Sequence, residues 1–397
     1  MEEREAILLL SQIPSVTPAH LVSLKTTGLS FSEFIQNPKD ALSFCHPERS
    51  EGSVEVNIDS SASPQNDKSL FRNNFLNPGI IQTIEEIKSS TNSSKILKDC
   101  DKNKIQITTF FDAAYPKFLK EIHKPPLVLY VKGELIPEDE IAVSIVGARY
   151  ASAYGMRIAK RISYELAEAG VTIVSGLARG IDGEAHKGAL EARGRTIAVL
   201  GSGIDVVYPK EHEKLFKEIS ESGAVVSEFP LGTPPHAFNF PQRNRIIAGF
   251  SQGILVVEAH YRSGSLITAS LASEEGREVY ALPGPVDSVQ SNGTNQLLKE
   301  GAKLVTSSED ILSDLRDVFG SLIAEVISSE EKEDIKDAQD FNPEEEKLIQ
   351  VLGADKLTLD DIQEKSDFDF SGLCAILTLL ELRGKVKKLA GGLYEAV

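Results

Sequence analysis

The amino-acid sequence predicts a doubly wound α/β fold with a mostly parallel sheet, preceded by a helical region and followed by a winged helix. Two features of the middle of the chain predict the sheet. Short, continuously apolar runs recur at Ile141–Val146, Val171–Val174, Thr196–Leu200, Ala224–Val226, Ile254–Val257, Val279–Leu282 and Lys303–Val305. Most lead through a glycine-containing turn into a helical stretch, clearest in Met156–Ala169, where Ile158, Ile162 and Leu166 lie four apart. Strands that are apolar throughout are covered on both faces, as parallel strands between two layers of helices are. A third feature marks the C-terminal unit. Glu344–Leu352, Leu357–Lys365 and Ser371–Arg383 have helical patterning, and Gly384–Glu395 reads as two strands around Gly391-Gly392, a winged-helix order.

Residues 1–100 read as a helical region. Its apolar positions, Ile7–Leu10, Leu21, Val22, Leu24, Phe31, Phe34 and Ile35, are punctuated by Pro14, Pro18 and Pro38, and helical spacing returns at Ile80, Ile81, Ile84 and Ile87. Between them, residues 45–78 are rich in Ser, Asn, Pro and Glu without periodicity, which predicts a disordered insertion. The sheet domain is expected over 105–318, an acidic linker over 319–340 and the winged helix over 341–397.

A chain of 397 residues exceeds one ordinary core, and 41% hydrophobic with 25% charged residues is a globular composition. No apolar run approaches the roughly 18 residues of a membrane helix, so no membrane association is expected. The start, Met1-Glu-Glu-Arg-Glu, is acidic where a targeting peptide is basic. Cys45, Cys100 and Cys374 lie far apart with no CxxC pair, which argues against a zinc ribbon or a disulfide framework. A cytoplasmic protein without metal or cofactor is the expectation. The net charge of −17 argues at first against nucleic acid. Its distribution alters that: residues 141–305 hold 17 Lys+Arg against 17 Asp+Glu, while residues 306–397 hold 10 against 22. The acid lies in the flanks, and the neutral middle has arginines free to cluster.

In an open parallel sheet, ligands bind beyond the carboxyl ends of the strands. The loops there read Gly147-Ala-Arg149, Ser175-Gly176-Leu-Ala-Arg179-Gly180-Ile-Asp182, Gly201–Asp205 leading to Tyr208-Pro-Lys210, Ser227–Pro230, and Ser263-Gly264-Ser265. Glycine lets a ligand approach the backbone, and each following helix adds the positive end of its dipole, suited to phosphate. Arg243, Asn244 and Arg245, in Phe240–Ile247, form the densest basic signal; a salt-bridged helix start explains them equally well. Ser263 to Ser265 could be only an N-cap, and Tyr208-Pro209 reads as architectural. Asp182 and His186, four apart on a helix, lack a third metal ligand, which favours a loop-anchoring hydrogen bond. A P-loop and a GxGxxG fingerprint are missing, which argues against an ATPase and a dinucleotide enzyme, and no Ser/His/Asp set has an evident arrangement for a serine hydrolase.

Taken in order, these loops closely resemble the DprA/Smf family. The resemblance runs through Tyr115-Pro116, Pro125-Pro126, Val146–Arg149, Val174–His186, Gly201–Asp205, Tyr208-Pro209 and Ser227–Pro230. It continues through Phe240–Gly249, Val257–Ala259, Ser263–Ser265, Pro283-Gly284 and Gly293–Leu297, covering about 105–318. The flanks resemble the family's SAM-like helical region and winged helix less specifically, and the insertion departs from its compact N-terminal domain. The resemblance implies a Rossmann-like domain and a homodimeric, non-enzymatic mediator of natural transformation, binding single-stranded DNA and loading RecA onto it. It implies that Arg149 and Lys210 grip phosphates and that Arg243 and Arg245 line the same groove. Gly147, Gly176, Arg179, Gly180, Asn244 and the Ser263, Gly264 and Ser265 amides are implied beside them. The family's dimer contact falls here on Asn295–Val305, with Gln296, Leu304 and Val305 as contact residues. Residues 341–397 hold 7 Lys+Arg against 11 Asp+Glu, which favours a protein contact over a DNA contact for the wing. The alternative is a nucleotide-processing enzyme, phosphoribohydrolase-like, with Glu258 as general acid; its customary Pro-Gly-Gly-x-Gly-Thr loop is here Arg262–Thr268.

Overall fold

Each expected run in the middle of the chain is a strand in the structure, a computed structural model. It describes residues 2–13, 15–26, 30–38, 78–90 and 93–316, then 347–348, 351–352, 357–366, 373, 376–377, 380, 386–388 and 393–396. The expected insertion, except Pro78, and the expected linker lie outside the described residues.

The strands are β1 (Gln106–Thr109), β2 (Val128–Gly133), β3 (Ala142–Val146), β4 (Thr172–Ser175), β5 (Thr196–Val199), β6 (Ala224–Ser227), β7 (Gly253–Val256), β8 (Glu278–Ala281) and β9 (Lys303–Leu304). They form one nine-stranded sheet in the order β1-β2-β6-β5-β4-β3-β7-β8-β9. Strands β3 to β9 are parallel. β1 and β2, joined through the short helix α6 (Lys117–Glu121), are antiparallel additions at the β6 edge and have no counterpart among the expected strands. The chain winds outward from β3 to β6, then restarts at β7 on the other side of β3. That reversal opens a crevice beyond the carboxyl ends of β3 and β7.

Side chains alternate across the sheet, so β3 feeds two cores. Val143 and Ile145 pack with Ile158, Ile162 and Leu166 of α7 (Ala153–Glu168) and Ala185 and Ala189 of α8 (Ile181–Glu191). Ala142 and Val146 pack with Ile246, Ile247 and Phe250 of α10 (Asn239–Phe250) and Ala269 and Ala272 of α11 (Gly264–Glu274). The stretch Phe240–Ile247 is helical, as one of its two readings had it. The N-terminal helices α1 (Glu3–Leu10), α2 (Pro18–Thr26), α3 (Phe31–Gln36), α4 (Pro78–Ser90) and α5 (Ser93–Lys102) do not keep a core to themselves. Their Leu8, Leu21, Phe34, Ile84 and Cys100 share one with Val128 and Tyr130 of β2 and Phe216 of α9 (Glu213–Ser222).

The chain divides into compact units Met1–Ile323 and Ala324–Val397. In the second, β10 (Leu357–Thr358), β11 (Val386–Lys388) and β12 (Leu393–Ala396) form a small sheet in the order β10-β12-β11. The helix expected from Leu357 begins two residues later, as α13 (Leu359–Lys365), because Leu357 and Thr358 pair with Tyr394 and Leu393. Thr358 caps it, its Oγ1 accepting from Asp361 N at 3.2 Å. Among the described residues, no helix is long and apolar enough to cross a membrane.

Helices α7 and α8 approach closely at Gly188, where an added Cβ would lie 2.2 Å from the Lys160 carbonyl oxygen. Helix propensity alone makes Gly188→Ala stabilising by about 1 kcal/mol. Overpacking against a backbone atom opposes this with about 1–3 kcal/mol. Net destabilisation is expected, read as a lower denaturant midpoint at unchanged slope; an equal or higher midpoint would contradict the close crossing.

Candidate functional site

The crevice at the switch point is a cleft of about 650 Å³. Its walls include Gly147 and Arg149 beyond β3, Phe240, Arg243 and Asn244 on α10, and the Ser263, Gly264 and Ser265 turn that starts α11. A smaller hollow of about 180 Å³ is lined by Arg149, Tyr150, Gly176, Arg179, Tyr208 and Phe240.

Its floor is built around a buried cation. Arg243 is 3% exposed, and its Nη1 donates to the Gly176 carbonyl oxygen at 2.9 Å and to that of Val199. Beside it, Asp182 accepts from Gly176 N at 3.2 Å through Oδ2. Position 176 has no room for a side chain: an added Cβ would lie 2.7 Å from Asp182 Oδ2 and 2.8 Å from Arg243 Nη2. Burial lowers the Arg243 guanidinium to about 10, still charged at neutral pH. Burial pushes the Asp182 carboxyl up, and Arg243 pulls it back. Gly180, at φ 72°, ends this loop at the N-cap of α8.

Arg243 and Arg245 are thus not a pair of groove arginines. Two residues apart on α10, they stand about 200° apart around the helix. Arg245 turns away from the cleft and pairs with Glu228, the salt-bridge alternative in the sequence. Asn244 points between them and donates to the Gly264 carbonyl oxygen at 3.3 Å. Arg179 is half-exposed and pairs with Glu211. Lys210 is exposed just after Tyr208 and Pro209 but is not part of the cleft wall. Among the described residues, Arg149, Lys210 and Arg262 form no ion pair. Ser263 caps α11, accepting from Ser265 N at 3.3 Å.

Aromatic rings surround these cations, a feature that reading by charge and glycine missed. Tyr150 is 84% exposed and Tyr261 58%. Tyr208 and Phe240 have centroids 5.7 Å apart, with the Arg149 guanidinium 5.2 Å from the Phe240 centroid. Next to His260 and Arg262 of the cleft wall, Tyr261 lies 4.0 Å from the His260 ring and 5.2 Å from the Arg262 guanidinium. The available signal was the exposed-type run His260-Tyr261-Arg262 directly after β7, at the switch point.

Other candidates resolve into structure. His186 Nδ1 lies 2.7 Å from Thr196 Oγ1, and burial holds its ring at about 3, so it stays neutral. Asp182 and His186 are anchors, and no metal-binding group of three or more His, Cys, Asp or Glu occurs among the described residues. Glu258, the general acid of the enzyme alternative, is 5% exposed and accepts from Ser152 N at 2.8 Å and Ser152 Oγ at 2.5 Å. Its carboxylate holds Ser152, the residue that caps α7, and is not part of the cleft wall. At the far edge, Gln296 of α12 (Asn292–Lys299) and Leu304 of β9 are exposed. Val305 is 0% exposed, packed with Leu312 and Leu315, so its side chain is withheld from any partner and that assignment is corrected.

A doubly wound sheet with a switch-point cleft lined by cations and aromatic rings defines a Rossmann-like ligand-binding architecture. Residues 106–316 match the family described as DNA recombination-mediator protein A, and residues 332–392 the DprA winged helix domain. The chain is 44% identical to Protein Smf of Escherichia coli (strain K12) over 279 residues, 70% of this chain and 74% of that protein. It is 46% identical to DNA processing protein DprA of Streptococcus pneumoniae (strain ATCC BAA-255 / R6) over 206 residues, 52% of this chain and 73% of that one. The X-ray structure of DNA processing protein A from Streptococcus pneumoniae is similar at TM-score 0.56 and 40% identity, covering 62% of this chain and 85% of that one. The chain belongs to the DNA recombination-mediator protein A family, a family of DNA-processing proteins.

If Arg243 fastens the floor, Arg243→Ala should cost about 3–5 kcal/mol, as removing one member of a buried charged cluster does. Arg149→Ala, at an exposed position, should leave the melt within about 0.5 kcal/mol of the parent. Equal melting of the two variants would refute the division between floor and rim.

Proposed function

We propose that the protein binds single-stranded DNA without sequence preference along this cleft and, as a cytoplasmic homodimer, passes it to RecA during natural transformation. One observation carries the binding: Arg149 and Arg262, without ion-pair partners among the described residues, line the cleft together with the exposed Tyr150 and Tyr208 rings, Arg149 against Phe240 and Arg262 against Tyr261. Guanidinium groups take phosphates, and rings stack bases that only a single strand exposes. Phosphate contacts carry no sequence information, so indifference to sequence follows. Lys210 continues the cationic track beside Tyr208, and the Ser263–Ser265 turn offers amides at a helix start. The RecA step rests on the family to which the chain belongs.

A titration of labelled dT oligonucleotide against its duplex, at several salt concentrations, tests this. Tighter binding of the single strand is expected. Arg149→Ala with Lys210→Ala should weaken it at least tenfold and reduce the salt slope by about 1.4, at about 0.7 per lost phosphate contact. Equal or tighter duplex binding, or an unaltered slope, would overturn the reading.

The dimer proposal rests on β9, the outer strand of the sheet, where Leu304 is 55% exposed. An apolar residue on an open edge invites pairing. Leu304→Glu should give a folded monomer by light scattering with unchanged circular dichroism. A folded dimer would place the contact elsewhere.

A further inference from the structure

Arg179 lines the smaller hollow together with Arg149, Tyr150, Tyr208 and Phe240, whereas Glu211, its ion-pair partner, is not part of that wall. The pair joins two loops far apart in sequence: Arg179 lies between β4 and α8, and Glu211 lies in the helical turn Lys210–His212. The contact is made through Arg179 Nε and Glu211 Oε1, and both side chains are about half exposed, 47% and 49%. The pairing holds the Glu211 carboxyl down at about 2, so it is anionic at any pH at which DNA would be bound. The two loops are also fastened by His212, whose Nδ1 lies 3.0 Å from the Leu177 carbonyl oxygen. Glu211 therefore cannot swing away freely with its turn.

We propose that Glu211 is an internal counter-anion that sets the strength and salt dependence of DNA binding in this cleft. The inference rests on the single-strand reading above. A phosphate reaching the Arg179 guanidinium also comes near a fixed carboxylate, so one rim cation is already neutralised before DNA arrives. Like charges brought together at a partly exposed site repel, and the repulsion is screened by salt. A cation already paired with protein also releases less counterion when phosphate replaces the pairing. Arg149 and Arg262, by contrast, have no ion-pair partner among the described residues. The rim thus holds free arginines beside an attenuated one, which suits a protein that must give up its DNA after binding it.

The test is Glu211→Gln, which keeps an oxygen to accept from Arg179 and removes only the charge. Affinity for dT oligonucleotide is measured against salt on the full chain. Glu221→Gln, an exposed carboxylate at the other end of α9, serves as the matched control for net charge. Glu211→Gln should tighten binding threefold or more at low salt and steepen the salt slope by about 0.7, one recovered phosphate contact. Arg179→Ala alone should weaken binding, because it leaves the carboxylate uncompensated. The double variant should bind more tightly than Arg179→Ala alone, the non-additivity of an interacting pair. A change below threefold, a weaker complex, or an equal gain from Glu221→Gln would overturn the proposal. If the parent protein fails to bind the oligonucleotide at all, the cleft reading fails and takes this inference with it. A parent that binds while Glu211→Gln does not differ removes the inference alone.

Discussion

Burying the Arg243 guanidinium beneath the carboxyl ends of β4 and β5 constrains everything above it. A cation removed from water must be surrounded by acceptors, and here they are the Gly176 and Val199 carbonyl oxygens, with the Asp182 carboxylate alongside. Those carbonyls lie at the last residue of β5 and in the loop that follows β4, so satisfying the charge ties that loop to the neighbouring strand end. Position 176 is then closed to any side chain, and the chain must turn through a positive φ at Gly180 to start α8. The cleft has its shape because its floor is an electrostatic clamp. Arg149, Tyr150 and Tyr208 rise from a rim that this clamp holds still.

The opposite end of the strands shows the same chemistry used for a different end. Arg195 and Asp139 form a two-point pair, Nε to Oδ1 at 2.8 Å and Nη2 to Oδ2 at 2.9 Å, and Thr172 adds a third hydrogen bond to Oδ1 at 3.0 Å. Such a pair locks the amino-terminal edge of the sheet and leaves little charge to offer. Arginine therefore has three uses in one domain: spent in the floor, spent at the far edge, and free at the rim. Counting basic residues cannot separate them.

This explains what was legible in the sequence and what was not. The parallel strands were legible because burial on both faces forces uninterrupted apolar runs, and β3 to β9 fall within a residue or two of the expected positions. β1 and β2 were not, since antiparallel strands joined through a small helix lack the strand–turn–helix cadence. The start of α13 was displaced because two residues with helical neighbours found a better partner in β12. In the cleft, the glycine loops and Arg149 were legible from their place after strands. The separation of Arg243 from Arg245 was half legible, because a salt-bridged helix start was one of two readings of Phe240–Ile247 and charge alone does not choose between them. Val305 was misplaced because an edge strand alternates its faces: Leu304 looks out and Val305 looks in. The rings were passed over because Tyr208 beside a proline reads as a turn, and exposure of an aromatic cannot be seen in a sequence.

The net charge of −17 then ceases to be an objection to a polyanionic ligand. Bulk acid acts at long range, where salt screens it within about 10 Å at moderate ionic strength. Contacts in a cleft act at a few ångströms, on a floor already occupied by a buried cation whose own acceptors fix it in place. An acidic exterior weakens adventitious attraction to polyanions everywhere except where cations and rings converge. Affinity in such a protein depends on the state of a few rim arginines and not on the sum of charges. Pairing one of them with a fixed carboxylate, as at Arg179, changes that state without moving the backbone.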